Sequence, residues 1–181
     1  MSLPKLGGLT SLPAWDHPEL MGVTVHAALT SWSHRDWVAV VEIDPQLADT
    51  AAMTQAYSLP MTASANCVVV AGRRAGEERL AACVIRADTR ADVNTVVKRL
   101  LDVRKASFLP TDRAVAETKM EYGGITPLGL PDSCRLLVAA EVTDMPVALI
   151  GSGVRRSKLL LTGGLIAQLP GAELVPDLAL R

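Results

Sequence analysis

Aromatic side chains are scarce in this 181-residue chain, which has one Phe, two Tyr and three Trp, 3% of the total. A core must therefore be filled by Ala, Val and Leu. With hydrophobic residues at 49% there are enough of them to exclude intrinsic disorder. Net charge is also nearly absent, at -1, so no global basic field gathers polyanions and any nucleic-acid contact has to be local. The three cysteines, Cys67, Cys83 and Cys134, are far apart. None forms a CxxC or His/Cys pair of metal-ligand spacing, which argues against a zinc site. An odd count without a disulfide framework fits buried thiols in a reducing compartment. The histidines His17, His26 and His34 crowd the N-terminal fifth and stand in no nucleophile motif, so surface or capping roles are expected of them. GxGxxG, P-loop and HExxH patterns are missing, which leaves standard nucleotide folds and zincins unsupported. No apolar run approaches the roughly 20 residues that span a bilayer. The first residues carry one Lys with early Pro and Gly instead of a signal-peptide core. A cytoplasmic location without membrane contact is expected.

What is present is an interleaving of helix and strand signals without internal repeats. Residues 1–35 read as an N-terminal arm or extension, and residues 36–181 as one domain. The first 18 residues hold three prolines and two glycines and look extended, and a short helix led by Pro18 follows. WVAVVEID is a strand ending in an Asp-Pro turn, and DTAAMTQAY is a helix with Asp49 as N-cap. Two apolar runs, 67–71 and 80–85, flank a polar glycine-containing connection and predict an antiparallel hairpin with Arg73 and Arg74 at its tip. Apolar residues at 93, 96, 97, 100 and 101 predict an amphipathic helix. TDRAVAETKM predicts a second, capped by Thr111 or Asp112. CRLLVAAEV and VALIGSG are β-rich, LTGGLIAQLPG predicts a short helix, and AELV a last strand. The fold class expected is mixed α/β, with a mainly antiparallel or mixed sheet wrapped by helices.

Two glycine-bearing loops remain as candidate chemistry, Tyr122-Gly123-Gly124-Ile125-Thr126-Pro127-Leu128-Gly129 and Gly151-Ser152-Gly153-Val154-Arg155-Arg156-Ser157. Glycine lets a ligand reach the backbone, and Pro127 restricts both itself and Thr126, so such a loop can hold amide groups rigidly towards a small molecule. Two ordinary turns explain the same residues equally well. Thr126 and Ser152 offer hydroxyls beside these glycines. Asp44 and Tyr57 could line the opposite side, although strand-end turn chemistry accounts for Asp44 as well. Met61 is read as packing. Lys98, Arg99, Arg104 and Lys105 are interspersed with acids and read first as a solvated face. Arg155, Arg156 and Lys158 follow the second glycine loop and could give an acceptor stem a local phosphate path; for Arg155 and Arg156 that reading and the solvated-face one stay open.

The ordered set of DVRKASF, an acid-capped helix, GGITPLGLP, VALIGSGVRRSKL and a terminal helix with LPGAELV resembles the YbaK/prolyl-tRNA synthetase-associated editing domain family. The resemblance covers roughly Asp36 to Val175. It matches the family's GxxxP loop with Gly123 and Pro127, and its later glycine loop with Ser152 and Gly153. It implies a trans-acting deacylase that hydrolyses the ester between a wrong amino acid and the terminal adenosine of a tRNA, with Cys- or Ala-charged tRNA for proline as the familiar substrates. Catalysis there is substrate-assisted and needs no metal or organic cofactor. Gly123, Thr126 and Pro127 would then serve catalysis, while Asn66, Gly124, Ser152, Gly153, Tyr57, Asp44 and Arg155 would bind substrate. The partners implied are the aminoacyl-tRNA 3′ end and a synthetase or the ribosomal elongation machinery. Asn66 stands where the family carries a lysine, so a non-catalytic binding module for a small molecule, a tRNA end or a protein is the alternative.

Overall fold

The computed structural model describes residues 2–181. Strand β1 (Leu12–Pro13) pairs antiparallel with β2 (Ala39–Glu42), and helix α1 (Val23–Ser31) lies between them in sequence. The first 35 residues thus enter the core as well as running along it: Ala14, Leu20, Val25 and Leu29 are buried. Helix α2 (Thr50–Ala56) begins at Asp49, whose carboxylate accepts the N–H groups of Ala51 and Ala52, as the N-cap reading expects.

The hairpin follows as β3 (Ala65–Arg74) and β4 (Glu77–Arg86), in register from Ala65↔Arg86 to Arg74↔Glu77. Ala75 and Gly76 close it, both with positive φ (51° and 85°), the backbone that a two-residue hairpin loop needs. After β5 (Arg90–Ala91), the amphipathic segment starts as a π turn over Val93–Val97, capped by Asp92, and continues into α3 (Lys98–Leu100). Val93, Val96 and Val97 are buried, so the 3.6-residue spacing marks the buried face although the first turn is wider. Strand β6 (Ala106–Phe108) leads to α4 (Thr111–Thr118). The cap expected at Thr111 or Asp112 is corrected here: Pro110 occupies the N-cap position and no side chain caps the helix.

The later strands are β7 (Cys134–Ala139), β8 (Ala148–Gly151) and β9 (Ser157–Leu161). They are followed by α5 (Gly163–Ile166), β10 (Ala172–Val175) and β11 (Ala179–Leu180). The larger sheet has the order β10-β7-β4-β3-β6, parallel at β10/β7 and β7/β4 and antiparallel elsewhere. The smaller, β1-β2-β9-β8, is antiparallel, and β11 pairs with β5. The class is therefore mixed α/β, as expected. Strand β9 has no counterpart in the sequence reading. All five of its residues are buried because both faces of its sheet are covered, Leu159 and Leu161 in the main core and Leu160 in a second cluster with Val41 and Met53. A fully buried strand lacks the apolar–polar alternation that would announce it. Among the described residues, no helix is long and apolar enough to cross a membrane.

Candidate functional site

The two sheets touch where Ser64, just before β3, bridges to Leu149 on β8. Beside that junction lies a cavity of about 370 Å³, within the range of small-molecule sites. Its walls come from the start of β3, the end of β6 with the start of α4, the segment before α2, residues 122–125, the end of β8, and Arg155 and Lys158. The interior is mostly apolar, with Ala65, Val69, Leu109, Ala114 and Ile150 in the lining. Polar groups gather on one flank: Asp49, Thr50, Asn66, Arg155 and Lys158.

The two glycine loops meet backbone to backbone. Gly153 N–H donates to Gly124 O at 2.7 Å, and Glu121 N–H donates to Gly153 O at 2.9 Å. A Cβ on Gly151 would stand 2.3 Å from the Gly124 oxygen, and one on Gly124 would stand 2.6 Å from the Val154 oxygen. Both contacts are with main chain, which cannot swing aside as a side chain would. The glycines at 124 and 151 are thus explained by this close approach.

Of the ten residues singled out from sequence, Asn66, Gly123 and Arg155 line the cavity. Asn66 Oδ1 accepts the hydroxyl of Thr50 at 2.8 Å. Arg155 donates to the Tyr122 and Pro45 carbonyls at 3.0 and 2.9 Å, and its own N–H donates to Glu121 Oε2 at 2.7 Å. Gly124 and Gly153 lie outside the lining, in the inter-loop contact just described. Ser152 is fully buried behind the same loop, its hydroxyl within 2.7 Å of that of Ser157. Thr126 is fully buried with its N–H on Met120 Sδ, and Pro127 faces a different depression, near Leu130 and Pro131. Asp44 and Tyr57 bind each other, Asp44 N–H donating to the phenol oxygen at 3.0 Å. Asp44 also accepts Gln46 N–H, which fixes the turn that carries Pro45.

Sequence reasoning missed Ser64, and it placed Lys158 only on an outer phosphate path, not in the cavity. Ser64 lines the cavity, is 1% exposed, and its hydroxyl has no hydrogen-bond partner within the protein. Lys158, on the unforeseen β9, is 5% exposed and donates to Gly123 O at 2.7 Å and Ala48 O at 2.9 Å. Burial, with the Arg155 guanidinium nearby, brings its ammonium down to about 8 against the opposing pull of Asp49. A lysine in GSGVRRSKLLL carries no motif that turns it inward, so the sequence reading left it with the arginines on the outside. Cys67 also lines the cavity, but burial pushes its thiol well above the ordinary range, which makes it a poor thiolate nucleophile. No histidine is in the lining.

A second groove adjoins the cavity and shares Phe108 and Leu109 with it. It presents Lys98, Arg104 and Lys105, none of which has an ion-pair partner among the described residues. Arg73 and Arg113, also on its walls, are both paired with Glu78. The two aromatics on the cavity rim, Phe108 and Tyr122, are 55% and 58% exposed.

The fold resembles solved structures. Hypothetical protein APE2540 superposes with a TM-score of 0.68 at 19% identity, covering 78% of this chain and 90% of its own. A protein proposed to be a trans-editing enzyme for prolyl tRNA synthetase gives 0.70 at 17% identity, covering 86% and 94%. No sequence among the curated proteins matches. The model of the aminoacyl-tRNA editing domain matches residues 44–168, and every residue of the cavity lining falls inside that span. The chain belongs to the aminoacyl-tRNA editing domain family.

Proposed function

We propose that the chain is a trans-acting deacylase that removes a wrongly attached small amino acid from the 3′-terminal adenosine of a tRNA, of the kind charged for proline. The observation that carries this reading is the coincidence of the cavity with the matched editing segment, residues 44–168. The chemistry asked of the protein is modest. Water adds to the ester carbonyl, the bond to the ribose oxygen breaks, and that oxygen leaves with a proton derived from the water. A ribose hydroxyl of the substrate orients the water, as the family resemblance implies, so no side-chain nucleophile is required.

Features of the cavity support each part. An apolar interior bounded by Leu109, Ala114 and Ile150 suits a short side chain. Such a pocket supplies the second selection that a synthetase needs, because a methylene alone is worth about 1–3 kcal/mol. Asp49, on the rim, gives the α-ammonium a counter-charge. Asn66 and Thr50 offer hydrogen bonds to the terminal nucleoside. Phe108 and Tyr122 provide exposed rings on which bases stack, and Lys98, Arg104 and Lys105 give phosphates a path outward. Gly123 shapes the acyl-binding wall. Gly124, Thr126, Pro127, Ser152 and Gly153 hold that wall from behind, while Asp44 and Tyr57 hold the turn opposite it.

A non-catalytic binding module is the second reading. Asn66 favours it, since its amide oxygen is engaged by Thr50 and it brings no charge. Turnover separates the two. Cys-, Ala- and Ser-charged tRNA for proline are offered to the wild type and to Asn66→Lys. Release of amino acid by the wild type supports the deacylase. Release by the lysine variant alone supports a domain that binds and has lost its chemistry. Silence from both removes the deacylase reading.

A further inference from the structure

Lys158 is a buried cation without a buried anion. No carboxylate lies within 4.0 Å of its nitrogen among the described residues. Taking an ammonium out of water is costly, and a structural cross-link between two carbonyls does not require a charge. An ammonium has three protons to donate. The carbonyls of Ala48 and Gly123 take two of them, and the side chain also borders the cavity. One donor is left for whatever enters.

The surroundings decide what that is. Asp49 and Arg155 are the other charged residues of the lining, with Tyr122 and Cys67 the remaining titratable ones. Asp49 is exposed at the rim, whereas Lys158 is 95% covered. A hydrated phosphate stays at the mouth, out of reach of so deep a group. The α-ammonium of an aminoacyl ester is repelled by Lys158 and drawn to Asp49. The part of the substrate left to face Lys158 is the ester carbonyl.

We propose that Lys158 stabilises the negative charge that develops on the ester carbonyl oxygen during hydrolysis, through its third N–H. The proposal rests on the deacylase reading above. As water adds, the carbonyl π pair moves onto the oxygen beside Lys158. Collapse restores the carbonyl and expels the ribose oxygen, which takes up the proton originating from the water. Lys158 remains protonated throughout and acts by charge and hydrogen bond. A fixed donor in a water-poor site is suited to this, because it needs no reorganisation as the charge appears. With its ammonium near 8, Lys158 is mostly charged at neutral pH.

Two probes test it: adenosine carrying a planar 3′-amide in place of the ester, and adenosine carrying a tetrahedral, anionic 3′-phosphonate, both without the α-amino group. The wild type should bind the phosphonate more tightly than the amide, and Lys158→Met should erase that preference while binding the amide as before. On Ala-charged tRNA, Lys158→Met should lower kcat by about 10²–10³-fold, as loss of one oxyanion donor does, with KM little changed. A raised KM with kcat intact would make Lys158 a ground-state anchor and overturn the proposal. Equal loss of both analogues would make it merely structural and do the same. Should the variant fail to fold, the wild type alone suffices: its preference for the phosphonate must fade as pH rises through about 8, and a flat profile overturns the proposal. If the wild type hydrolyses the ester but shows no phosphonate preference, only the role of Lys158 falls. If it binds neither analogue and hydrolyses nothing, the deacylase reading falls with it.

Discussion

Arg155 and Lys158 bridge the same two segments: Arg155 binds the carbonyls of Pro45 and Tyr122, and Lys158 those of Ala48 and Gly123. Residues 45–48 and 122–123, which are remote in sequence, are therefore held together by two cations from one short stretch. The half-buried guanidinium ties the rim and the covered ammonium ties the floor.

The ammonium should be visible in the pH dependence of stability. Its folded-state value of about 8 lies below the ordinary 10.5, so between these values the unfolded chain binds more protons than the folded one. The contribution of Lys158 to stability should then rise with pH across that window, and by linkage its charge costs ~3 kcal/mol at neutral pH. Because burial raises the thiols of Cys67, Cys83 and Cys134 and makes them lower stability as pH passes 9, the effect is read as a difference: in urea denaturation at pH 7.5 and 10 the wild type should gain relative to Lys158→Met. Identical slopes in the two proteins would contradict the assignment.

Gly151→Ala should destabilise the fold. Its Cβ would meet the Gly124 and Ile125 oxygens at 2.3 and 2.5 Å, forcing two backbones apart. A cost of about 1–3 kcal/mol is expected, lowering Tm by roughly 2–10 °C. Gly164→Ala is the control: nothing lies within 4 Å of the new methyl and the residue sits in α5, so Tm should hold or rise slightly.

Phe108→Ala should weaken tRNA binding by about 1–3 kcal/mol, the usual worth of one stacked base. Reversing Arg104 and Lys105 to Glu should weaken it further and flatten its dependence on salt. The charge reversal, which lies outside the cavity, should leave hydrolysis of a short aminoacyl-adenosine unaltered, whereas Phe108→Ala, on the shared rim, should also raise its KM. Fluorescence anisotropy across a salt series reads both effects, and a salt slope equal to the wild type's would remove the groove from the path.

Pro127→Ala should leave Tm nearly unchanged and cut turnover by about 10²-fold, the usual penalty when a reacting group is misplaced by an ångström. Pro127 is outside the cavity lining, so its effect has to pass through the loop that carries Gly123. Undiminished deacylation would show that the loop keeps its shape without the ring.

The sequence made the hairpin legible because its two apolar runs and the polar glycine-containing connection between them are local signals, and Asp49 was legible as a cap for the same reason. Gly123, Asn66 and Arg155 could be connected only through the ordered family motif, since they come from three separate parts of the chain. Thr126 and Ser152 have the polar groups expected of a ligand contact, yet both are fully buried; hydroxyl chemistry does not say which way a loop residue turns. Strand β9 escaped because burial on both faces erased its alternation. The inward turn of Lys158 escaped with it, since a lysine after two arginines reads as a surface phosphate contact and says nothing of the cavity beside it.

The main-chain contact between Gly124 and Gly153 separates two tasks that many binding sites entrust to the same atoms. The frame of the pocket is backbone, while its size and polarity are set by side chains at 66, 109, 114 and 150. Exchanges among them leave the backbone frame in place within the limits set by packing, since Leu109, Ala114 and Ile150 also belong to the main core. A family member built this way can drift from one rejected amino acid to another by point substitution, keeping its scaffold while its selectivity is rewritten.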